Sequence, residues 1–197
     1  MHSIASDIVG GVNTFIKDNK KVKDGDMNFT LVQFDSQDPF EVIYDGVPIA
    51  DVKEFTADQF IPRGGTPLYD GIGKLVARAK EDLKGVTSDV VMVIVTDGYE
   101  NQSREYSQST VKALVSDQEK AGWTFVFIGA NQDAALSAQM MGSTHGSTMD
   151  WSQTSAGTQA AFSALAVSNT NYRGLRSKGV AVASNQYLVE EEVTTSK

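Results

Sequence analysis

Six apolar residues run without a break through Val90-Val91-Met92-Val93-Ile94-Val95, framed by Asp89 on one side and Thr96-Asp97-Gly98 on the other. A strand with one wet face alternates apolar and polar residues, so an unbroken run calls for cover on both faces. Such a strand belongs inside a sheet flanked by helices. The neighbouring segments agree. Ile4 to Lys17 places Ile4, Ile8, Val12, Phe15 and Ile16 at helical spacing, with Ser3 or Ser6 as cap. Gly10-Gly11 inside that helix costs about 1 kcal/mol per glycine against alanine, so the helix must lean on packing or need close backbone approach.

The remaining elements alternate in kind. Asn28 to Phe34 and Phe40 to Tyr44 read as strands joined by a short link, hence antiparallel neighbours, with Asp45-Gly46 as a closing turn. Thr66-Pro67 predicts a helix start, Thr66 capping and Pro67 in the first turn, continuing through Ile72, Leu75, Val76, Ala79 and Leu83. Ser107 or Ser109 opens a further helix stopped by Gly122, and Trp123 to Ile128 is a second buried strand. A short helix over Ala134–Met141, a loop over Gly142–Thr148 and a last helix over Ser155–Val167 complete the reading. The pattern predicts an α/β fold: three layers around a doubly wound, mostly parallel sheet with one antiparallel edge strand. Residues 1–175 read as one domain and 176–197 as a tail, with Glu190-Glu191-Glu192 solvated.

Composition removes several function classes. The chain has no cysteine and two histidines, His2 and His145, which excludes zinc-thiolate and iron–sulfur sites and thiol catalysis. A formal net charge of -8 disfavours nucleic acid or an anionic membrane as main partner. Divalent cations or basic protein surfaces suit it better. With no apolar run of membrane-spanning length and no leader pattern, the expectation is a cytoplasmic protein.

In open α/β sheets, ligands gather beyond the carboxyl ends of the strands. Asp35, Asp97 and Asp133 each follow an expected strand, and Thr66 starts a helix on the same edge. Oxygen donors without His or Cys suit a hard cation such as Mg²⁺. Each residue also has an ordinary reading: Thr66 as a cap, Asp97-Gly98 as a turn, Asp35 and Asp133 as solvated turn residues. Two motifs together shift the balance toward a site.

The segments Arg63-Gly64-Gly65-Thr66-Pro67-Leu68-Tyr69-Asp70-Gly71-Ile72 and Val93-Ile94-Val95-Thr96-Asp97-Gly98 resemble the second and third motifs of von Willebrand factor A (vWA) domains of bacterial and phage type. The resemblance covers Ile4 to about Ala130, with Gly129 to Asp133 and Tyr172-Arg173 adding to it. It implies a metal-ion-dependent adhesion site with Thr66 as a direct ligand of Mg²⁺ and Asp97 holding coordinated water. The family's first strand and its Asp-x-Ser-x-Ser motif, which precede a helix beginning like Met1-His2-Ser3-Ile4, are read as missing. A late gene start is the favoured account, ahead of a degenerate domain or a strand donated by a partner. Asp150-Trp151-Ser152-Gln153-Thr154 matches Asp-x-Ser-x-Thr in name but is read as a helix cap.

The expected function is therefore a protein-interaction module with an incomplete, weakly Mg²⁺-binding site. In intact relatives an acidic residue of the partner completes the metal shell. A missing central strand also predicts self-association through open edges. The alternative is a Mg²⁺-dependent phosphoryl-transfer enzyme using Asp97. Against it, Gly64-Gly65-Thr66-Pro67 is no phosphate loop, and Gly142-Ser143-Thr144-His145-Gly146 is only a near miss for a nucleophile elbow.

Overall fold

The computed structural model describes residues 2–23, 25–130, 138–139, 141–143 and 147–188. After a 3-10 turn, α1 spans Ala5–Lys21, and β1 (Asn28–Gln33) and β2 (Glu41–Pro48) form an antiparallel pair. Helix α2 (Leu68–Asp82) leads to β3 (Val91–Thr96), α3 (Gln108–Lys120), β4 (Thr124–Ala130) and β5 (Ser147–Trp151). Helix α4 (Ser155–Arg176) follows, then a 3-10 turn at Ser184–Gln186. Strands β3, β4 and β5 are parallel, in the order β3-β4-β5.

The fold is α/β with helices on both faces, as continuous apolar strands demand. Phe125 and Phe127 of β4 enter one core with Val76 of α2 and Val111 and Val115 of α3, while Val126 and Ile128 enter the other with α1 and α4. Helices α1 and α4 run parallel: Ser155 Oγ donates to Asp7 Oδ2 (2.9 Å) near their starts, and Asn169 Nδ2 to Asn19 Oδ1 (2.6 Å) near their ends. Gly11 permits this closeness, because a Cβ there would overlap the Phe162 ring. No helix among the described residues is long and apolar enough to cross a membrane.

Several expectations are corrected. Strands β1-β2 and β3-β4-β5 form two sheets rather than one. Asp45-Gly46 does not close β2 but forms a bulge inside it: Phe29 pairs with Val47 and Leu31 with Tyr44, so two residues face Thr30. Gly46, at φ +58°, accommodates the bulge, and its N–H donates to Thr30 Oγ1. The expected loop over Gly142–Thr148 ends in β5, whose polar residues hid it: Ser147 is buried, its hydroxyl donating to Ser184 O at 2.7 Å. The segment after residue 175 is not wholly a solvated tail, since Tyr187 is core, its hydroxyl donating to Asn169 Oδ1. The helix expected over Ala134–Met141 lies largely outside the described residues.

One helix ties the two sheets together. Arg173 donates to Asn19 O and Gly25 O at the approach to β1, and Arg176 forks onto both carboxylate oxygens of Asp89 just before β3. The carboxyl ends of β1 and β3 meet at the opposite rim. The two strands therefore run in the same direction.

Candidate functional site

That rim is a junction between the start of α2 and the loop from Asp97 to Tyr106. Thr66 does not cap α2, contrary to expectation. Pro67 occupies the N-cap position, where no side chain accepts a bond. The first-turn donors are satisfied from the other loop: Tyr69 N–H donates to Glu100 Oε2 (3.0 Å) and Asp70 N–H to Ser103 Oγ (3.1 Å). In return the Asp70 carboxylate accepts N–H bonds from Arg104, Glu105 and Tyr106 at 2.8–2.9 Å. Asn101 adds two more links, its Oδ1 accepting from Thr66 N–H and its own N–H donating to Thr66 O.

This interlock brings the two expected site segments together. A Cβ added at Gly98 would lie 3.0 Å from Thr66 Oγ1, so the two loops approach closely here. The Thr96 hydroxyl closes the turn around Asp97, donating to Gly98 O at 2.9 Å and accepting from Gly98 N–H at 3.3 Å. Ser36, at the end of β1, joins the rim by accepting from Gly65 N–H at 3.0 Å.

The other expected acids part ways. Asp35 is buried and structural: Oδ1 accepts from Gln37 and Asp38 N–H, and Oδ2 pairs with Arg63 Nε at 2.7 Å. Burial raises its pKa, but the Asp38 amide, Arg63 and the Gln37 amide outweigh burial and hold the carboxyl below its ordinary value. Asp70 behaves alike, with burial opposed and overcome by the amides of Arg104, Tyr106 and Glu105. Asp133 lies outside the described residues. Asp150 lies within β5, and Thr154 caps α4 by accepting from Gly157 N–H, the role read from sequence.

The donor set does not by itself fit a tight Mg²⁺ site. Mg²⁺ demands near-octahedral oxygen coordination, and Thr66 and Asp97 supply one hydroxyl and one carboxylate. Both Glu100 oxygens and Asn101 Oδ1 are committed to holding the loops. Among the described residues no group of three Asp, Glu or His side chains is arranged to hold a metal. A surface hollow of about 390 Å³ is lined by Gln108, Ser109, Lys112 and Gln139, none of them rim residues.

Glu100, Ser103, Asn101 and Asp70 were not singled out from sequence, although they build the junction. Their signal is faint: a polar Glu-Asn-Gln-Ser stretch after a buried strand, and an acid in a helix's first turn, where the dipole favours it. No known protein family, characterised protein or solved structure matches the chain.

Proposed function

We propose that this chain is a vWA-like protein-interaction module that docks a protein partner at the rim where Thr66 and Asp97 meet, and that its metal-ion-dependent adhesion site is incomplete. The observation that carries the reading is the close approach of Thr66 Oγ1 to Gly98, which sets the two motif loops side by side. The doubly wound vWA-type sheet belongs to the same proposal. Parallel β3-β4-β5, helices on both faces and an antiparallel β1-β2 pair support it.

Mg²⁺ enters this proposal as a weak ligand, since further oxygens, such as a partner's carboxylate, are needed for tight binding. The phosphoryl-transfer alternative is less well served by the junction. A helix N-terminus that cradles phosphate must present open N–H groups, and the Glu100 carboxylate already occupies that end of α2.

The test is affinity capture followed by binding measurements with the purified partner. Thr66→Ala and Asp97→Ala should keep the wild-type melting temperature to within a few degrees and weaken the partner's Kd by about tenfold or more. Wild-type affinity in both variants sinks the reading. So does Mg²⁺-dependent hydrolysis of phosphate esters or nucleotides that disappears in Asp97→Ala.

A further inference from the structure

A chain of polar side chains crosses the core between α1, α4 and the C-terminal 3-10 turn. Asn19 is 0% exposed, Asn169 5% and Tyr187 1%. Asn19 Nδ2 donates to Phe15 O at 2.9 Å, Asn169 Nδ2 to Asn19 Oδ1 at 2.6 Å, and the Tyr187 hydroxyl to Asn169 Oδ1 at 2.9 Å. Asn169 Nδ2 carries a second hydrogen, and its acceptor is the Met27 thioether, with Nδ2 3.6 Å from Sδ. A buried amide needs acceptors for both hydrogens, so the sulfur closes the circuit.

Met27 differs from those three partners in being only half-buried. It stands just before β1, between exposed Asp26 and exposed Asn28, and its backbone carbonyl accepts from Ile49 N–H. A side chain that borders solvent is therefore wired to groups that do not. Asn169 in turn holds Tyr187, whose ring packs on Tyr172 of α4 with centroids 5.4 Å apart. Around Tyr187, the Ser147 hydroxyl of β5 donates to Ser184 O at 2.7 Å and accepts from Leu188 N–H at 3.3 Å.

We propose that Met27 is a redox modification site, at which a peroxide converts the thioether to the sulfoxide and thereby loosens the segment 184–188 from the core. The sulfur lone pair attacks one oxygen of hydrogen peroxide, and an S–O bond forms as the O–O bond breaks. The departing hydroxide takes the proton from the new S–OH group and leaves as water, so sulfur loses the two electrons that peroxide gains. A soft apolar group thus becomes a bulkier, polar one. Kept inside, the new oxygen needs room that a close-packed interior does not have; turned out to water, it takes the acceptor away from a buried N–H. Either course disturbs Asn169 and the bond it accepts from Tyr187. Methionine sulfoxide reductases reverse the step with a dithiol, the oxygen leaving as water while the dithiol closes to a disulfide. Met27 lies at the entrance of β1 and Ser36 of the rim beyond its exit, so this proposal and the rim reading can fail separately.

The test treats the full chain with hydrogen peroxide and follows each methionine by tandem mass spectrometry. Met27 should oxidise about tenfold or more faster than Met92 and Met141, which are 5% and 2% exposed. With Met27 fully oxidised, hydrogen–deuterium exchange should speed about tenfold or more at residues 184–188 and stay unchanged at residues 91–96. Methionine sulfoxide reductases of both stereospecificities, with dithiothreitol, should restore slow exchange. Met149 is half-buried as well, so Met27→Leu, which keeps the apolar bulk, separates the two: peroxide should no longer change exchange at 184–188. The reductase rescue serves even if that variant does not fold. Oxidation of Met27 no faster than of Met92 and Met141, unchanged exchange at 184–188 after oxidation, an acceleration that the reductases do not reverse, or the same peroxide response in Met27→Leu overturns the proposal. Acceleration spread equally over 91–96 marks general unfolding and overturns it too.

Discussion

Asp70 Oδ1 lies 2.8 Å from the backbone nitrogen of Tyr106, across 36 residues of chain. The same carboxylate accepts two more amides from that loop, and it is 2% exposed. It therefore orders the approach to α3 from the first turn of α2. Asp70→Ala strands three N–H groups and should cost about 2–3 kcal/mol, since hydrogen bonds to charged groups run about 1.5–3 kcal/mol each but loop amides can turn to water. Urea unfolding measures this; a loss below about 0.5 kcal/mol contradicts the role assigned to Asp70.

Acid should attack this junction and the Asp35–Arg63 pair together. Both carboxyls are held below the ordinary value of 3.8, so their stabilisation is fully present above that pH and is lost as pH falls through the depressed folded values. Unfolding free energies at pH 7, 4 and 3 should drop mainly over the last step. Asp70→Asn should show a shallower drop than the wild-type chain.

Adjacent glycines in α1 should respond in opposite directions. Nothing lies within 4 Å of a Cβ at Gly10, so Gly10→Ala should stabilise by about 0.5–1 kcal/mol through helix propensity. Gly11→Ala drives a methyl into the Phe162 ring at the α1–α4 contact and should cost about 1–3 kcal/mol. Thermal melts of the two variants check the sign; equal shifts would mean that the helices do not meet at Gly11.

Gly98→Ala probes the rim without removing a motif oxygen. The added methyl meets Thr66 Oγ1 at 3.0 Å, a distance relieved by a shift of a few tenths of an ångström. Stability should fall by less than about 1 kcal/mol, whereas partner affinity should fall toward that of Thr66→Ala. Full wild-type affinity in Gly98→Ala would separate the two loops in function.

Much of this architecture is legible in the chain because it depends on local pattern. Val90–Val95 and Trp123–Ile128 announce buried strands by continuity, and the helical spacing of α1 and α4 predicts residues they bury, whereas in α2 Ile72 and Val76 are buried but Leu75, Ala79 and, just past its end, Leu83 only half-buried. What escaped depends on partners distant in sequence. Thr66 looked like a cap because Ser and Thr accept first-turn amides, but Glu100 and Ser103 reach those amides instead. Strand β5 escaped because Ser147, Thr148 and Asp150 dilute its apolar pattern, and a bulge at Asp45-Gly46 carries the same residues as a turn. Asp35 reads as a solvated turn residue; it does hold a turn, accepting from Gln37 and Asp38 N–H, but it is buried beside Arg63, a partner that no local pattern announces.

Arg173 and Arg176 stand three residues apart on α4, and each grips the entrance of a different sheet. An α-helix turns about 100° and rises about 1.5 Å per residue, so those three positions act as a ruler for the spacing between β1 and β3. A single-residue insertion or deletion between them would swing one guanidinium about 100° away from its target, while leaving every other helical contact on one side of it in phase. Replacement of Gly174 or Leu175, one open to added atoms and the other 42% exposed, leaves the ruler intact. Over evolutionary time this stretch should drift freely in letters and stay rigid in length.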